Sequence, residues 1–211
     1  MNITDNINLV FEEPVLYFDS TAFHLEEKEP KDSIWKKKPF LIRQDTLNIR
    51  QYTILSEWDP GKDYQFTVDS ASVHSIYETF NDKTVYTGKM RSLDDYANLF
   101  FSIQGLEGPA YVELISEKGK VLRREKVNKN KASFYFLLPG KYYARLVNDR
   151  NDNGKWDTGL YPTLQPEEVY YYPEAIELRA LWDTDQDWNI KGIKLDEQKP
   201  KELKPKETNS R

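Results

Sequence analysis

Apolar residues in this chain recur at every second position, in short runs closed off by turn-forming residues. Tyr64, Phe66 and Val68 make one such run, Leu99, Phe101 and Ile103 another, and Ile7, Leu9 and Phe11 a third. Successive side chains of a strand point to opposite faces, so each run describes a strand with one face buried and the other wet. Asp59-Pro60-Gly61 and Asn81-Asp82 punctuate the first half, as turns between strands require. Within it, Val15 to Phe18, Phe40 with Ile42, Leu47 with Ile49, and Tyr52 with Ile54 read as further strands. The charged stretch from Glu26 to Lys38, which contains Pro30, reads as a long loop.

The second half repeats the pattern. Tyr111 to Ile115 and Val121 to Val127 flank Glu117-Lys118-Gly119-Lys120, a short hairpin connection. Phe134, Phe136 and Leu138 lead into Pro139-Gly140, and Tyr143, Arg145 and Val147 follow. A last strand is expected from Ala175 to Trp182, with Ile176, Leu178, Ala180 and Trp182 on one face. Helical signal is confined to Arg91 to Tyr96, where Ser92 can cap a turn with Asp95 three residues on. That break divides the chain. The expected fold is all-β, two consecutive antiparallel β-sandwich domains over 1–91 and 92–190. From Lys191 to Arg211 alternation gives way to Lys, Glu and Pro, and this tail is expected to be disordered.

Charge narrows the function. The 211 residues carry a net −5; the tail has seven Lys and Arg against four Asp and Glu, so it carries +3 and the body −8. Nucleic-acid affinity comes mainly from cations neutralising phosphates, so a nucleic-acid partner is not expected. The chain has no cysteine, which removes disulfides, thiolate metal sites and cysteine nucleophiles. No apolar run approaches the length of a membrane span, and Met1 to Val10 lacks the charged start and apolar block of a signal peptide. A monomer is expected.

One segment has the order of a cation loop. In Asp149-Arg150-Asn151-Asp152-Asn153-Gly154-Lys155-Trp156-Asp157, oxygen-bearing side chains stand at positions one, three, five and nine, and glycine at six. Alternate side chains of a tight loop converge on one point, which glycine lets the backbone enclose. Asp149, Asn151, Asn153 and Asp157, with the Lys155 carbonyl, are therefore candidate ligands for Ca2+. Position twelve is Leu160 rather than glutamate, and Glu167 or Glu168 would have to fold back in its place. The competing reading closes the same loop by Asx turns, without metal.

Other acidic groups are less specific. Asp183, Asp185 and Asp187 read as a solvated strand end or as extra cation ligands, and Glu12-Glu13, Glu26-Glu27 and Glu167-Glu168 carry little weight alone, because glycoside hydrolysis needs a cleft and a fixed separation. His24 and His74 have no neighbours at ligand spacing. Nucleophile elbows, phosphate loops and dinucleotide fingerprints do not occur, and no enzyme is expected. Trp156, Tyr161, Tyr170, Tyr171, Tyr172, Trp182 and Trp188 crowd the second half, either as core rings with polar tips at the rim or as a platform for sugar rings.

Several segments carry a resemblance. Phe11 to Val15, Pro60 to Tyr64 and Val68 to Ala71 resemble a bacterial Ig-like domain of the S-layer type. Leu138 to Leu146 is similar to the prealbumin-like modules of cell-surface proteins, and leads into Asp149 to Asp157, Gly159 and Gln165 to Glu167. Together, from about Ile7 to Ile190, they resemble the Ig-like-domain lipoproteins of Bacteroidetes. The resemblance implies an Ig-like and then a prealbumin-like sandwich. It also implies a cell-envelope location within a longer lipid-anchored protein, and a structural or binding role toward a protein or glycan. It carries over no catalytic residue.

Overall fold

The computed structural model describes residues 1–159 and 165–204. The chain is all-β; among the described residues helical structure amounts to single turns at Ser20–Ala22, Leu93–Asp95 and Lys201–Leu203. It divides into two compact units, Met1–Leu93 and Asp94–Arg211.

The strands of the first unit are β1 (Ile7–Val10), β2 (Val15–Phe18), β3 (Phe23–Lys28), β4 (Lys36–Lys37) and β5 (Leu41–Gln44). They continue with β6 (Gln51–Leu55), β7 (Asp63–Val68), β8 (Val73–Ser75) and β9 (Thr84–Lys89). They form sheets in the orders β1-β6-β5 and β4-β3-β7-β9, with β2 and β8 paired separately. The core is built by alternation: Leu9, Tyr52 and Ile54 from one sheet meet Phe23, Leu25, Tyr64 and Phe66 from the other, and all are buried. Two expectations are corrected. Leu47 and Ile49 form no strand, because the Asp45 carboxylate accepts the amides of Leu47 and Asn48 at 2.7 and 2.8 Å and turns the chain, leaving Leu47 97 % exposed. The charged stretch from Glu26 is partly sheet: β4 pairs with β3 through Glu26↔Lys37 and Glu27↔Lys36, where opposite charges face each other.

Charge also ties β3 to the connection between β6 and β7 and to the residue after β4. Lys38 Nζ lies 2.7 Å from both Glu27 and Asp59, and Lys62 Nζ lies 2.9 Å from Glu27 and 3.0 Å from Asp59. Bonds from Lys38 and Lys62 hold the Asp59 carboxyl down at about 2. A carboxyl depressed in the folded state stabilises fully above its unfolded value, near 3.8, and ceases to do so as pH falls through about 2. The stability of the first unit should therefore fall between pH 4 and pH 2. In Asp59→Asn, whose side chain does not titrate, acid unfolding followed by tryptophan fluorescence should be shallower over that window.

The second unit contains β10 (Ala97–Gln104), β11 (Tyr111–Ile115), β12 (Val121–Lys126), β13 (Lys131–Leu137) and β14 (Gly140–Val147). It closes with β15 (Val169–Tyr171), β16 (Ile176–Leu178) and β17 (Asp183–Asn189). One sheet has the order β13-β10-β17, the other β12-β11-β14-β15, with β16 also paired to β14. Leu99, Phe101, Phe134 and Trp188 from the first meet Val112, Leu114, Ala144 and Leu146 from the second. The β11–β12 hairpin falls where its turn residues place it.

Three features depart from the sequence reading. The expected strand from Ala175 to Trp182 stops at Leu178, and Trp182 is 58 % exposed. The chain then forms β17, which pairs in parallel with β10 over Asn98↔Asp183 to Gln104↔Asn189. A parallel pair follows a crossover rather than a tight turn, so no hairpin signal announces it. In β13 the residue Phe136 adopts φ +56° and the register with β10 shifts there, so Leu137 is buried and Phe136 is 41 % exposed. Where it is described, the tail is ordered. Gln198 is buried, its amide donates to the carbonyls of Ile190 and Ile193 at 2.8 Å each, and its oxygen accepts the Tyr171 N–H at 3.1 Å. One buried amide with every bond satisfied fixes a polar segment that hydrophobicity alone would leave loose. Residues 205–211 lie outside the described residues.

Candidate functional site

Past Val147 the chain leaves β14 and doubles back on itself. Asp149, 2 % exposed, accepts the amide of Asn153 on one oxygen (3.0 Å) and that of Gly154 on the other (2.7 Å). Gly154 has φ +72°, a conformation that glycine adopts without strain. The Asn151 and Asn153 side-chain oxygens each accept the amide two residues on, at 3.2 and 2.7 Å. Their amide nitrogens converge on one oxygen of Asp157, at 2.7 and 2.9 Å. The side chains at positions three and five thus converge on that at position nine, while position one, Asp149, is turned to the loop's backbone amides instead. The group they surround is the Asp157 carboxylate, solvated by amide donors. Lys155 contributes its backbone N–H to this network, donated to Asn153.

Glu167 closes the loop from outside. It is buried, accepts the amides of Arg150 (2.9 Å) and Asp157 (3.1 Å), and exchanges a further backbone bond with Asp157 at 3.0 Å. The Trp156 indole donates to the Glu167 carbonyl at 3.0 Å. Of the two glutamates considered for the missing twelfth position, Glu167 lies against the loop, where it caps backbone amides. Glu168 instead accepts the Tyr170 hydroxyl, whose pKa is pushed up to about 12 by burial and then by that bond. Leu160 and Tyr161 lie outside the described residues.

Beneath the loop lies a charged row that sequence reasoning missed. Glu113 on β11 is registered opposite Arg124 on β12 and Arg145 on β14. Its side chain is 2 % exposed. Arg124 Nε donates to it at 3.0 Å and Arg145 Nε at 2.6 Å. Burial pulls the Arg145 pKa down, but bonding and attraction to Glu113 prevail, and the net shift is upward. The Arg124 guanidinium lies 4.3 Å over the Tyr111 ring and also donates to the Gly154 carbonyl. Lys126 pairs with Asp152 at 2.7 Å. The loop is thereby fastened to the outer face of the sheet.

The remaining candidates disperse. Among the described residues no group of three or more His, Cys, Asp or Glu is placed to hold a metal. Asp183, Asp185 and Asp187 stand exposed along β17, and Asn98 donates to Asp183 at 2.8 Å. His24 meets Asp69 at 3.1 Å, while His74 packs edge-on against Tyr17 and Phe80. Glu13 accepts the Thr79 hydroxyl and Glu27 is held by lysines. Of the clustered aromatics, Tyr170 and Trp188 are buried and Tyr172 packs edge-on against Phe101 and Trp188; Trp156 and Trp182 remain about half exposed.

No protein-family model and no curated protein matches the sequence. Solved structures give distant likenesses. The TIE protein of Bacillus anthracis is 14 % identical with a TM-score of 0.30, over 80 % of this chain and 30 % of its own. A leucine-rich repeat protein from Bacteroides thetaiotaomicron is 10 % identical at 0.27, over 82 % and 24 %. A variant of BcpA, the major pilin subunit of Bacillus cereus, is 8 % identical at 0.28, over 90 % and 65 %. The chain spans less than two thirds of each, and likenesses this distant assign neither family nor function.

Proposed function

We propose that this chain is a non-catalytic structural or interaction module of a cell-envelope protein, resembling the Ig-like-domain lipoproteins of Bacteroidetes. The carrying observation is how its buried acids are used. Glu113, Asp149 and Glu167 are the buried carboxylates among the described residues, and each has both oxygens bonded to arginines or backbone amides. General acid–base or nucleophilic work needs a carboxylate oxygen facing substrate. Here all six are committed to holding a loop and a sheet in place.

Incubating the full chain with a panel of polysaccharides and following reducing ends tests the non-catalytic part. No release above a heat-denatured control is expected; turnover lost in any one of Glu113→Gln, Asp149→Asn or Glu167→Gln, with the fold intact, would replace this reading by a glycan-active enzyme. The carbohydrate-binding alternative rests on Trp156 and Trp182, the second unit's exposed tryptophans. Binding on a glycan array, abolished by Trp156→Ala or Trp182→Ala, would favour it.

The loop's hydrogen bonds make it self-sufficient, so melting curves of the full chain in EDTA and in millimolar calcium should superimpose. A ligand at 100 times its Kd adds about 2.7 kcal/mol; an upward shift of several degrees with calcium, abolished by Asp149→Ala, would instead seat a cation among Asp149, Asn151, Asn153, Lys155 and Asp157. Without metal, Asp149→Ala leaves the Gly154 amide unpaired beneath the loop and the Asn153 amide on Asn151 alone, and should cost about 1–3 kcal/mol.

A further inference from the structure

The two main sheets of the first unit differ in width: β1-β6-β5 has three strands and β4-β3-β7-β9 has four. The extra strand, β9, turns a core-parity face to solvent. Tyr86 is registered opposite Phe66, which is fully buried, yet Tyr86 is 51 % exposed; Thr84, registered opposite Val68, shares its face. Between this face and β1 runs a groove of about 620 Å³, with Leu9, Val68 and Val73 of the core along it. At the Gly88 end of β9 the N-terminal residue fills the gap. A Cβ on Gly88 would meet Met1 Sδ at 3.1 Å, and the Met1 amine donates to the Lys89 carbonyl at 2.7 Å. The groove thus has the outline of an absent strand beside β1.

Its borders are unguarded. Among the described residues β1 pairs with β6 alone and β9 with β7 alone. Native proteins protect free edges with charge, and this chain does so elsewhere: β17 carries Asp183, Asp185 and Asp187, and β12 carries Arg123 to Lys126. No charged residue occurs from Ile7 to Phe11 or from Thr84 to Gly88. Charge returns on the lining at Glu12, Glu13 and Asp82, all acidic.

We propose that an extended segment of another protein docks here as the fourth strand, hydrogen-bonded to β1. Its alternate apolar side chains cover Tyr86 and pack over Leu9, Val68 and Val73, and a Lys or Arg meets Glu12, Glu13 and Asp82. Backbone bonding to the edge supplies affinity, and alternation with the terminal cation supplies selectivity. The four residues of β1, at roughly 3.3 Å each, set the length of the paired segment at four to six residues. The proposal deepens the interaction-module reading; its failure would leave the envelope location, tested separately by fractionation, untouched.

The test titrates the full chain with an acetylated six-residue peptide of alternating valine and threonine flanked by arginines, and reads amide exchange by NMR. Saturable protection of the β1 amides not bonded to β6, at least tenfold, is expected. It should vanish when alternate peptide nitrogens are methylated, weaken when glutamates replace the arginines, and be lost in Tyr86→Glu. If that variant fails to fold, Val10→Lys, at a position 63 % exposed, takes its place. An unprotected β1 at millimolar peptide, equal protection by the methylated peptide, or an edge already protected in a concentration-dependent dimer of this chain would each overturn the proposal.

Discussion

Replacing Glu113 by alanine should destabilise the second unit by about 3–5 kcal/mol, at the lower end of that span. The carboxylate is buried and sits between two guanidinium groups on neighbouring strands. Removing it leaves two cations side by side with no counter-charge. The Arg124 and Arg145 side chains are 44 % and 30 % exposed, so water recovers part of the loss, which is why the lower end is expected. Calorimetry of the full chain should place the affected transition on the order of 10 °C lower. A second consequence separates this row from an ordinary surface pair. Arg124 also holds the Gly154 carbonyl, so amide exchange at Asn153 and Gly154 should accelerate in Glu113→Ala. A loss below about 1 kcal/mol, the range of exposed pairs, with loop exchange unchanged, would contradict the role given to the row.

Truncating Phe101 should cost as much by different physics. Its ring is 1 % exposed and meets Phe134, Tyr172 and Trp188 with centroids 6.2, 5.8 and 5.4 Å away. Phe101→Ala removes apolar area, forfeits those ring contacts and opens a cavity that strands on both sides keep from collapsing. About 3–5 kcal/mol is expected from denaturant unfolding of the full chain, and roughly half as much for Phe101→Leu, which refills most of the volume. The slope with denaturant should be unchanged in both. Equal losses in the two variants would mean that the ring contacts, rather than the cavity, set the cost.

Phe101 was legible in the sequence because alternation alone assigns it: Leu99, Phe101 and Ile103 share a face, and all three are buried. The same rule recovers Tyr64 and Phe66, and the Glu117–Lys120 turn recovers the β11–β12 hairpin. Alternation fails where something other than hydrophobicity sets the strand. In β17 the pattern Asp-Thr-Asp-Gln-Asp reads as solvent, yet the backbone pairs with β10 and Trp188 alone marks the buried face. At Phe136 one extra residue reverses the parity. Gln198 looks like tail because its contribution is hydrogen bonding, which composition does not reveal.

The candidate site divides the same way. The spacing of Asp149, Asn151, Asn153 and Asp157 announces a closed loop, but that Asn151 and Asn153 gather on the Asp157 carboxylate while Asp149 takes backbone amides depends on side-chain orientation, which spacing does not encode. Glu113 was hidden by its neighbours. Flanked by Val112 and Leu114, it reads as a lone acid in an apolar run, and its two arginines are adjacent only once the register of three strands is known.

The central claim, an envelope module that holds or binds rather than catalyses, is tested most directly in cells making the full-length protein. They should be fractionated, and intact cells treated with protease. The protein is expected in the envelope fraction, with polysaccharides unchanged by it. Recovery of the protein in the soluble cytosolic fraction, untouched by protease until the cells are broken, would contradict the account.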